Sequence, residues 1–223
     1  MRRLILSTFI LATALHSIAD TIPSPLSKKN PWIVPAALFS TGVLVATTPP
    51  FNSFEPSIYN GFDPKRTYTE VDDYTQYAPA IAVFALSASG IKGKNRLPVQ
   101  VVIYGISNVT GGIITQSLKR IVNRERPDKS DNRSFPSGHT TTAFIAAELL
   151  HQEYGHRSIW YSIAGYGTAA ATGYLRLYNN KHWLGDVLAG AAVGIASTKF
   201  IYWAKAALRN KSTKPTPVAV TAF

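Results

Sequence analysis

The chain of 223 residues contains no cysteine, and this absence excludes disulfide bonds, zinc–thiolate sites and thiol chemistry. It is also poor in charge, since charged residues make up only 16% of the sequence, below the share typical of a soluble domain. Acidic residues are the scarcer kind: 12 stand against 23 lysines and arginines, and the formal net charge is +11. Such a charge favours anionic surroundings, which include phosphorylated substrates, acidic lipids and nucleic acids.

Nucleic acid is the weakest of these partners, because the basic residues are scattered and no nucleic-acid-binding motif is present. Strand patterns and internal repeats are also missing from the sequence. Hydrophobic residues make up 46% of the chain, which is enough for a sizeable core, and the length favours one domain. The sequence therefore predicts an all-α fold, a single-domain bundle of about six helices.

The first residues have the pattern of an export signal. Two arginines precede an apolar run, Leu4–Leu15, that is too short to span a bilayer comfortably, and small residues lead up to Ala19. We expect cleavage after Ala19, so residues 1–19 are predicted to be a signal peptide, with an uncleaved anchor as the alternative. Residues 20–210 then form the domain, and residues 211–223 form a basic flexible tail.

Apolar stretches predict the helices, and prolines and glycines mark several of their ends. One long stretch, Phe51–Tyr77, is polar and aromatic and is interpreted as a loop long enough to cover a site. The predicted helical stretches are Trp32–Thr48, Ala78–Ile91, Leu97–Arg126, Pro136–Tyr154, Ser158–Leu175 and His182–Leu208.

The sequence leaves open whether these helices span a membrane. Leu97–Leu118 lacks charge but carries several polar side chains, and Val187–Ala204 contains Lys199. In a six-span protein the basic turns would fall on one side, as the positive-inside rule expects. A cleaved signal would place those turns outside, which favours a soluble or surface-bound periplasmic protein. We expect membrane association.

Three polar clusters set between apolar stretches carry the chemistry of the sequence. The first is Lys119 with Arg126 and Pro127. The two cations are seven residues apart, so a helix would present both from one face, where an ammonium and a guanidinium fork can hold a phosphate. Taken alone, this cluster is more readily interpreted as a solvated basic face, since Arg120 and Arg124 lie nearby.

The second cluster is the run from Pro136 to His139, directly before a helical stretch. Backbone N–H groups at a helix N-terminus bind anions, and Gly138 allows close approach of the backbone. The Ser137 hydroxyl can add a further contact, and His139 at the mouth can donate a proton to a leaving oxygen. Taken alone, the run is equally an ordinary helix start with a surface histidine.

The third cluster is Arg176 with His182 and Asp186. His182 and Asp186 are four residues apart and are predicted to be neighbours on one helical face. A carboxylate on one ring nitrogen fixes the tautomer and leaves the other nitrogen free to attack. Arg176 precedes this helix and can reach the same phosphate. Such a pair is more often structural than catalytic when it stands alone, and a metal site would lack a third close carboxylate or histidine.

In order and spacing, the clusters resemble the type 2 phosphatidic acid phosphatase (PAP2) superfamily, which includes bacterial class A acid phosphatases and vanadium haloperoxidases. The family pattern is Lys-x6-Arg-Pro, then Pro-Ser-Gly-His, then Ser-Arg-x5-His-x3-Asp. Every spacing is kept between Lys119 and Asp186, and one position departs, since Leu175 stands where the family usually has serine. The resemblance implies a PAP2/haloperoxidase-like helical bundle.

The resemblance also implies a two-step phosphatase mechanism that uses no metal and no cofactor. In it His182 attacks phosphorus, Asp186 orients that histidine, and His139 protonates the departing alkoxide and then activates water. The groups implied to hold the phosphate oxygens are Lys119, Arg126, Ser137, Gly138 and Arg176.

The export signal and the apolar helices favour a phosphorylated lipid of the bacterial envelope as the substrate, cut in the periplasm or at the periplasmic face of a membrane. Three alternatives stay open: a soluble periplasmic acid phosphatase acting on small monoesters, a vanadate-dependent haloperoxidase, and a non-catalytic membrane protein that binds anionic lipid. Haloperoxidases are usually much longer than this chain, which disfavours the second alternative. Lipid binding alone needs no nucleophile, so the complete set of His139, His182 and Asp186 disfavours the third. Neither nucleic acid nor an obligate protein partner is expected.

Overall fold

The computed structural model describes residues 30–49, 51–62 and 67–212, the last three as backbone only. All regular secondary structure in these residues is helical, which confirms the predicted all-α fold. The expected signal peptide (residues 1–19) lies outside the described residues, as does the tail beyond residue 212. The helices are α1 (Ile33–Thr47), α2 (Phe51–Asn60), α3 (Val71–Thr75), α4 (Ala78–Ala88), α5 (Leu97–Val122), α6 (Gly138–Tyr154), α7 (Ile159–Tyr178) and α8 (Leu184–Ser212).

Six of these eight helices lie at the predicted stretches, and α2 and α3 lie inside the stretch interpreted as a loop. The loop interpretation was wrong because both helices reverse the usual pattern of burial. In α2 the buried residue is Glu55, while Phe51 and Phe54 are exposed. In α3 the buried residue is Asp72, and Val71 is exposed. A search for buried apolar faces therefore passes over both.

Helix α5 ends four residues earlier than predicted. Asn123 takes a left-handed conformation with φ of 49°, and its N–H bonds to the carbonyl of Lys119. A left-handed residue directly after the last turn is a common way to end a helix. Arg126 therefore lies in the following loop, and the prediction that one helical face presents both Lys119 and Arg126 was wrong.

Helix α8 begins two residues later than predicted. Its first residue is Leu184, so His182 precedes the helix and Asp186 lies in its first turn. The prediction that these two residues share a helical face was wrong. Arg176 belongs to the last turn of α7. The five residues between α7 and α8 turn back onto α7, because the N–H groups of Lys181 and His182 both donate to the Arg176 carbonyl.

Helix α6 is the centre of the bundle and packs against α4, α5, α7 and α8. Its buried side chains include Leu149, Leu150 and Tyr154, which meet Val83 and Ile103 in the largest apolar cluster. Because neighbouring helices alternate in direction, the C-terminal ends of α5 and α7 lie with the N-terminal ends of α6 and α8. All three polar clusters are therefore gathered at one end of the bundle.

Two helices are long and apolar enough to cross a membrane, Leu97–Val122 and Leu184–Arg209. The pair Ile33–Thr47 and Phe51–Asn60, bent by 84°, would count as a third if it forms one broken span. By length and composition, the described residues therefore hold two or three candidate spans, against the six of the six-span alternative. Only 22% of the apolar window of α5 is buried, against 61% for α8.

Candidate active site

His182 lies at the centre of the site and is only 3% exposed. Its Nε2 atom is 3.1 Å from Nη1 of Arg126. A guanidinium can only donate, so Nε2 accepts this bond and the ring proton belongs on Nδ1. Nδ1 faces the Ser134 hydroxyl at 3.5 Å and Oδ2 of Asp186 at 3.6 Å. The ring thus presents its Nε2 lone pair to the cationic side of the site.

Burial lowers the pKa of His182 to about 4, and the charges of Lys119 and Arg126 act in the same direction. The Asp186 carboxylate opposes this shift but does not overcome it. The imidazole is therefore neutral at neutral pH, which is the form that can act as a nucleophile.

Asp186 is fully buried, and three donors hold its carboxylate. Oδ2 accepts bonds from the Ser134 hydroxyl and, at 2.9 Å, from the Trp183 N–H. Oδ1 accepts a bond of 2.7 Å from Arg124. The separation of 3.6 Å from His182 exceeds a direct hydrogen bond, so Asp186 acts on the ring as a fixed nearby charge.

The two cations of the first cluster converge from α5 and from the loop that follows it. Lys119 is 7% exposed, and its Nζ donates to the carbonyl of Arg133. Arg126 bonds through Nε to Asp131 at 2.7 Å and through Nη1 to the Lys181 carbonyl at 2.9 Å. The loop therefore holds Arg126 against His182, although Arg126 belongs to the first cluster and His182 to the third.

The N-terminus of α6 joins the site through Ser137. Its N–H donates to the Asp186 carbonyl at 2.9 Å, and its hydroxyl caps the helix by accepting from the N–H of Thr140 at 3.4 Å. The Ser137 N–H is therefore engaged within the protein. Its hydroxyl accepts from Thr140 and keeps its own proton to donate, so the expected contact with a phosphate stays a prediction. Gly138 and His139 open the helix, so their N–H groups have no partner within it.

His139 pairs with a residue that the sequence analysis did not assign to the site. Its Nε2 is 2.6 Å from Oδ1 of Asp73, and its side chain remains 32% exposed. Burial and the charge of Arg176 lower the pKa of His139, while Asp73 and Asp72 act in the opposite direction.

Arg176 is buried and pairs with Asp72 through Nη1. The other oxygen of Asp72 accepts a bond of 2.9 Å from Asn179. The Nε of Arg176 is buried and has no hydrogen-bond partner among the described residues. A sequence signal for both acids existed, since two adjacent carboxylates in an acid-poor chain stand just before α4.

Arg124 was also not predicted as a site residue, because with Arg120 it fitted a solvated basic face. Its guanidinium bridges two buried carboxylates, Glu55 from α2 and Asp186 from α8. Glu55 also accepts a bond of 2.8 Å from the N–H of Gly185. No sequence pattern pointed to this bridge, because it depends on the left-handed turn at Asn123.

A small cavity of about 10 Å³, room for about one water molecule, opens beside His182 and Glu55. Its remaining walls come from α2, the end of α7 and the start of α8. Most of these walls are apolar or aromatic: Ile58, Tyr59, Phe62, Pro127, Leu177, Trp183 and Leu184.

One group of possible metal ligands occurs in the described residues, formed by Asp72, Asp73 and His139, whose ligand atoms lie within 4.8 Å of one another. Asp72 already pairs with Arg176, and Asp73 with His139. The protein itself therefore balances these charges, and the group does not involve His182 or Asp186.

Comparisons with known proteins identify relatives in sequence and in fold. The sequence profile of the PAP2 superfamily matches residues 100–209, which include every site residue that the sequence predicted. A lipid A 1-phosphatase of Porphyromonas gingivalis is 41% identical over 138 residues, which are 61% of this chain and 31% of that protein. The chain thus spans about a third of the length of the curated relative it matches.

Two solved structures share the fold. A transmembrane PAP2-type phosphatidylglycerolphosphate phosphatase from Bacillus subtilis aligns with a TM-score of 0.56 and 20% identity, over 81% of this chain and 98% of that one. LpxE from Aquifex aeolicus aligns with a TM-score of 0.50 and 24% identity, over 68% of this chain and 94% of that one. The family profile and the relative confirm the predicted resemblance to the PAP2 superfamily, and the solved structures share its fold.

Proposed function

We propose that the protein is a phosphatase that hydrolyses the phosphate monoester or the pyrophosphate of an envelope lipid. The observation that carries this proposal is the environment of His182, a buried neutral imidazole whose Nε2 lone pair faces Arg126. A nucleophile beside fixed cations suits a phosphoryl group, because its charge is spread over three oxygens in the transition state.

The first step of the proposed reaction forms a phosphohistidine. The Nε2 lone pair of His182 attacks phosphorus, the bond from phosphorus to the leaving oxygen breaks, and that oxygen takes a proton from His139. Lys119, Arg126 and Arg176 hold the three remaining oxygens, together with the free N–H groups at the start of α6. Asp186 stabilises the ring as it acquires positive charge.

The second step restores the enzyme. His139, now neutral, takes a proton from a water molecule whose oxygen attacks phosphorus, and the bond between phosphorus and Nε2 breaks. Inorganic phosphate leaves, and His182 returns to its neutral form. The same histidine thus serves as acid and then as base.

The lipid class of the substrate is supported by the relative named lipid A 1-phosphatase and by the long apolar helices α5 and α8. Lipid A phosphate is therefore the first substrate to test, followed by phosphatidylglycerolphosphate, phosphatidic acid and undecaprenyl pyrophosphate. We propose that the reaction takes place at the periplasmic face of the membrane. The positive-inside rule keeps the basic turn with Lys92 and Arg96 on the cytoplasmic side, and the site lies at the other end of α5.

The test is release of inorganic phosphate from these lipids and from p-nitrophenyl phosphate, measured on the wild type and on His182→Ala. We expect the variant to lose activity by a factor of about 10³ or more, because no other group can form the intermediate. His156→Ala is the matched control, since this histidine is exposed and lies just past the C-terminal end of α6, whereas His139 lies at the start of that helix. Wild-type rates for His182→Ala would refute the proposal, and turnover of small esters alone would favour an acid phosphatase.

A further inference from the structure

Helix α3 is a single turn that contributes two adjacent carboxylates to the site. Asp72 pairs with Arg176 of the third motif, and Asp73 bonds to His139 of the second. Both acids lie outside the segment that matches the family, residues 100–209. One dipeptide thus contacts two motifs that are 37 residues apart in the sequence.

Hydrogen bonds to α7 and the residues after it fix the position of α3. Before the helix, the Thr69 N–H donates to Oδ1 of Asn179 at 3.1 Å, and Nδ2 of Asn179 donates back to the Thr69 carbonyl at 2.7 Å. After it, the hydroxyls of Thr75 and Thr172 are 3.0 Å apart. Asp73 is therefore held in place from both sides, although its own carboxylate is partly exposed.

The bond from Asp73 reaches only one of the two nitrogens of His139. Asp73 occupies Nε2, and Nδ1 has no hydrogen-bond partner among the residues that the structure describes. A carboxylate on Nε2 fixes the orientation of the ring and leaves the proton on Nδ1 as the one that can be transferred. We propose that Asp73 is a positioning residue that aims Nδ1 of His139 at the leaving oxygen and stabilises the protonated ring. This inference rests on the proposed function, in which His139 is the general acid.

The charges around His139 define what the loss of Asp73 would do. Asp73 and Asp72 face the ring from α3, and Arg176 faces it from α7. The two acids raise the pKa of His139, whereas Arg176 and burial lower it. Without the Asp73 charge, burial and Arg176 lower the pKa of His139 further, so the protonated ring becomes scarcer at a given pH. The alkaline limb of the first step should therefore move to lower pH.

The experiment compares Asp73→Asn with the wild type on two substrates in the same detergent. One is the lipid phosphate monoester that the wild type cleaves best, whose alkoxide needs a proton to leave. The other is p-nitrophenyl phosphate, whose phenolate leaves without one. The measured quantity is kcat/KM, which reports the step that forms the phosphohistidine.

We expect Asp73→Asn to lower kcat/KM for the lipid by a factor of about 10 to 100, within the range that general acid catalysis contributes. For the aryl ester the loss should stay below a factor of about 3, because that leaving group takes little help from an acid. Asp73→Glu should restore part of the lipid activity. If Asp73→Asn does not fold, Asp73→Glu is compared with the wild type on the two substrates instead. Glu70→Gln is the matched control, an exposed acid directly before α3, and should behave as wild type on both esters.

An equal loss on both substrates would assign Asp73 a purely structural role and overturn the inference, as would unchanged activity on the lipid. Loss of activity on chelation, restored by added Mg²⁺ or Mn²⁺, would instead assign Asp72, Asp73 and His139 to a cation and would also overturn it. Equal activity of wild type and His182→Ala would overturn the proposed function itself, which is a separate result.

Discussion

At the scale of single residues, Arg124 shows how one side chain joins parts of the chain that the sequence keeps apart. It bonds to Asp186 in the third motif and to Glu55 in α2, and it lies over the Trp183 ring at 5.6 Å. The sequence could predict which residue types meet at the site, because the motif spacings are specific. It could not predict this bridge, because Arg120 and Arg124 look alike in the sequence.

We expect Arg124→Ala to lower kcat about tenfold or more and to lower the melting temperature. Its removal leaves two buried carboxylates without their cation, and breaking a buried pair in this way is strongly destabilising. Arg120→Ala is the control, since Arg120 lies on the exposed side of the same helical turn as Lys119. Thermal unfolding and phosphate release measured on both variants test this, and equal behaviour of the two would contradict the bridge.

A second prediction at this scale concerns pH. Because burial lowers the pKa of His182 to about 4, the nucleophile stays neutral well below the ordinary histidine pKa of 6.5. Activity that needs the neutral ring should persist as the pH falls and should decline only near pH 4. The acid limb of kcat/KM, corrected for ionisation of the substrate itself, measures this directly. An acid limb that remains at pH 6 or above after this correction would show that the His182 ring is less buried than in the structure.

At the scale of helices, the sequence predicted the long apolar ones and missed those whose buried side is polar. The sequence predicted that α6 starts at Pro136 and α7 at Ser158, and the structure begins them at Gly138 and Ile159. Helices α2 and α3 bury an acid each, so their burial depends on cations from distant segments. Apolar periodicity carries no information about such long-range charge pairs.

The contact between α6 and α8 offers a test at this scale. A Cβ on Gly190 would lie 2.6 Å from the Ser137 carbonyl and 3.2 Å from the Cβ of Thr140. We expect Gly190→Ala to push the start of α6 away from α8, at a cost of about 1–3 kcal/mol in stability. Catalytic activity should fall with it, since this segment carries His139.

The control for this change is Gly112→Ala in α5, where an added Cβ meets no atom within 4 Å. That variant should be as stable as wild type or slightly more so, because alanine favours helix over glycine by about 1 kcal/mol. Melting temperatures and kcat of the two variants distinguish the cases. Equal melting temperatures would show that the two helices can separate freely at Gly190.

At the scale of the whole molecule, the site and an apolar exterior are arranged along one helix. The exposed side of α5 carries large apolar side chains, among them Val102, Val109 and Ile113. Lys119 lies near its C-terminal end, in the site. Near its N-terminal end a buried network joins Asn95 and Gln100 to Glu153. If α5 crosses a membrane, these two polar ends face opposite sides of it.

The absence of cysteine makes this arrangement testable, because each introduced thiol is the only one in the chain. We expect a membrane-impermeant maleimide to label Glu125→Cys in spheroplasts and to label Lys94→Cys only after the membrane is permeabilised. Both positions are exposed and flank α5 at its two ends. Equal labelling of both before permeabilisation would contradict a crossing helix, and the reverse pattern would contradict a periplasmic site.

Three of the carboxylates that balance the site come from residues 51–75, upstream of the segment that matches the family. Glu55 pairs with Arg124, Asp72 with Arg176, and Asp73 with His139. The recognisable signature thus supplies the cations and His182, while an unrecognised stretch supplies the counter-charges. The signature is therefore not a transplantable unit, since without residues 51–75 it would leave the buried guanidinium of Arg176 without its carboxylate.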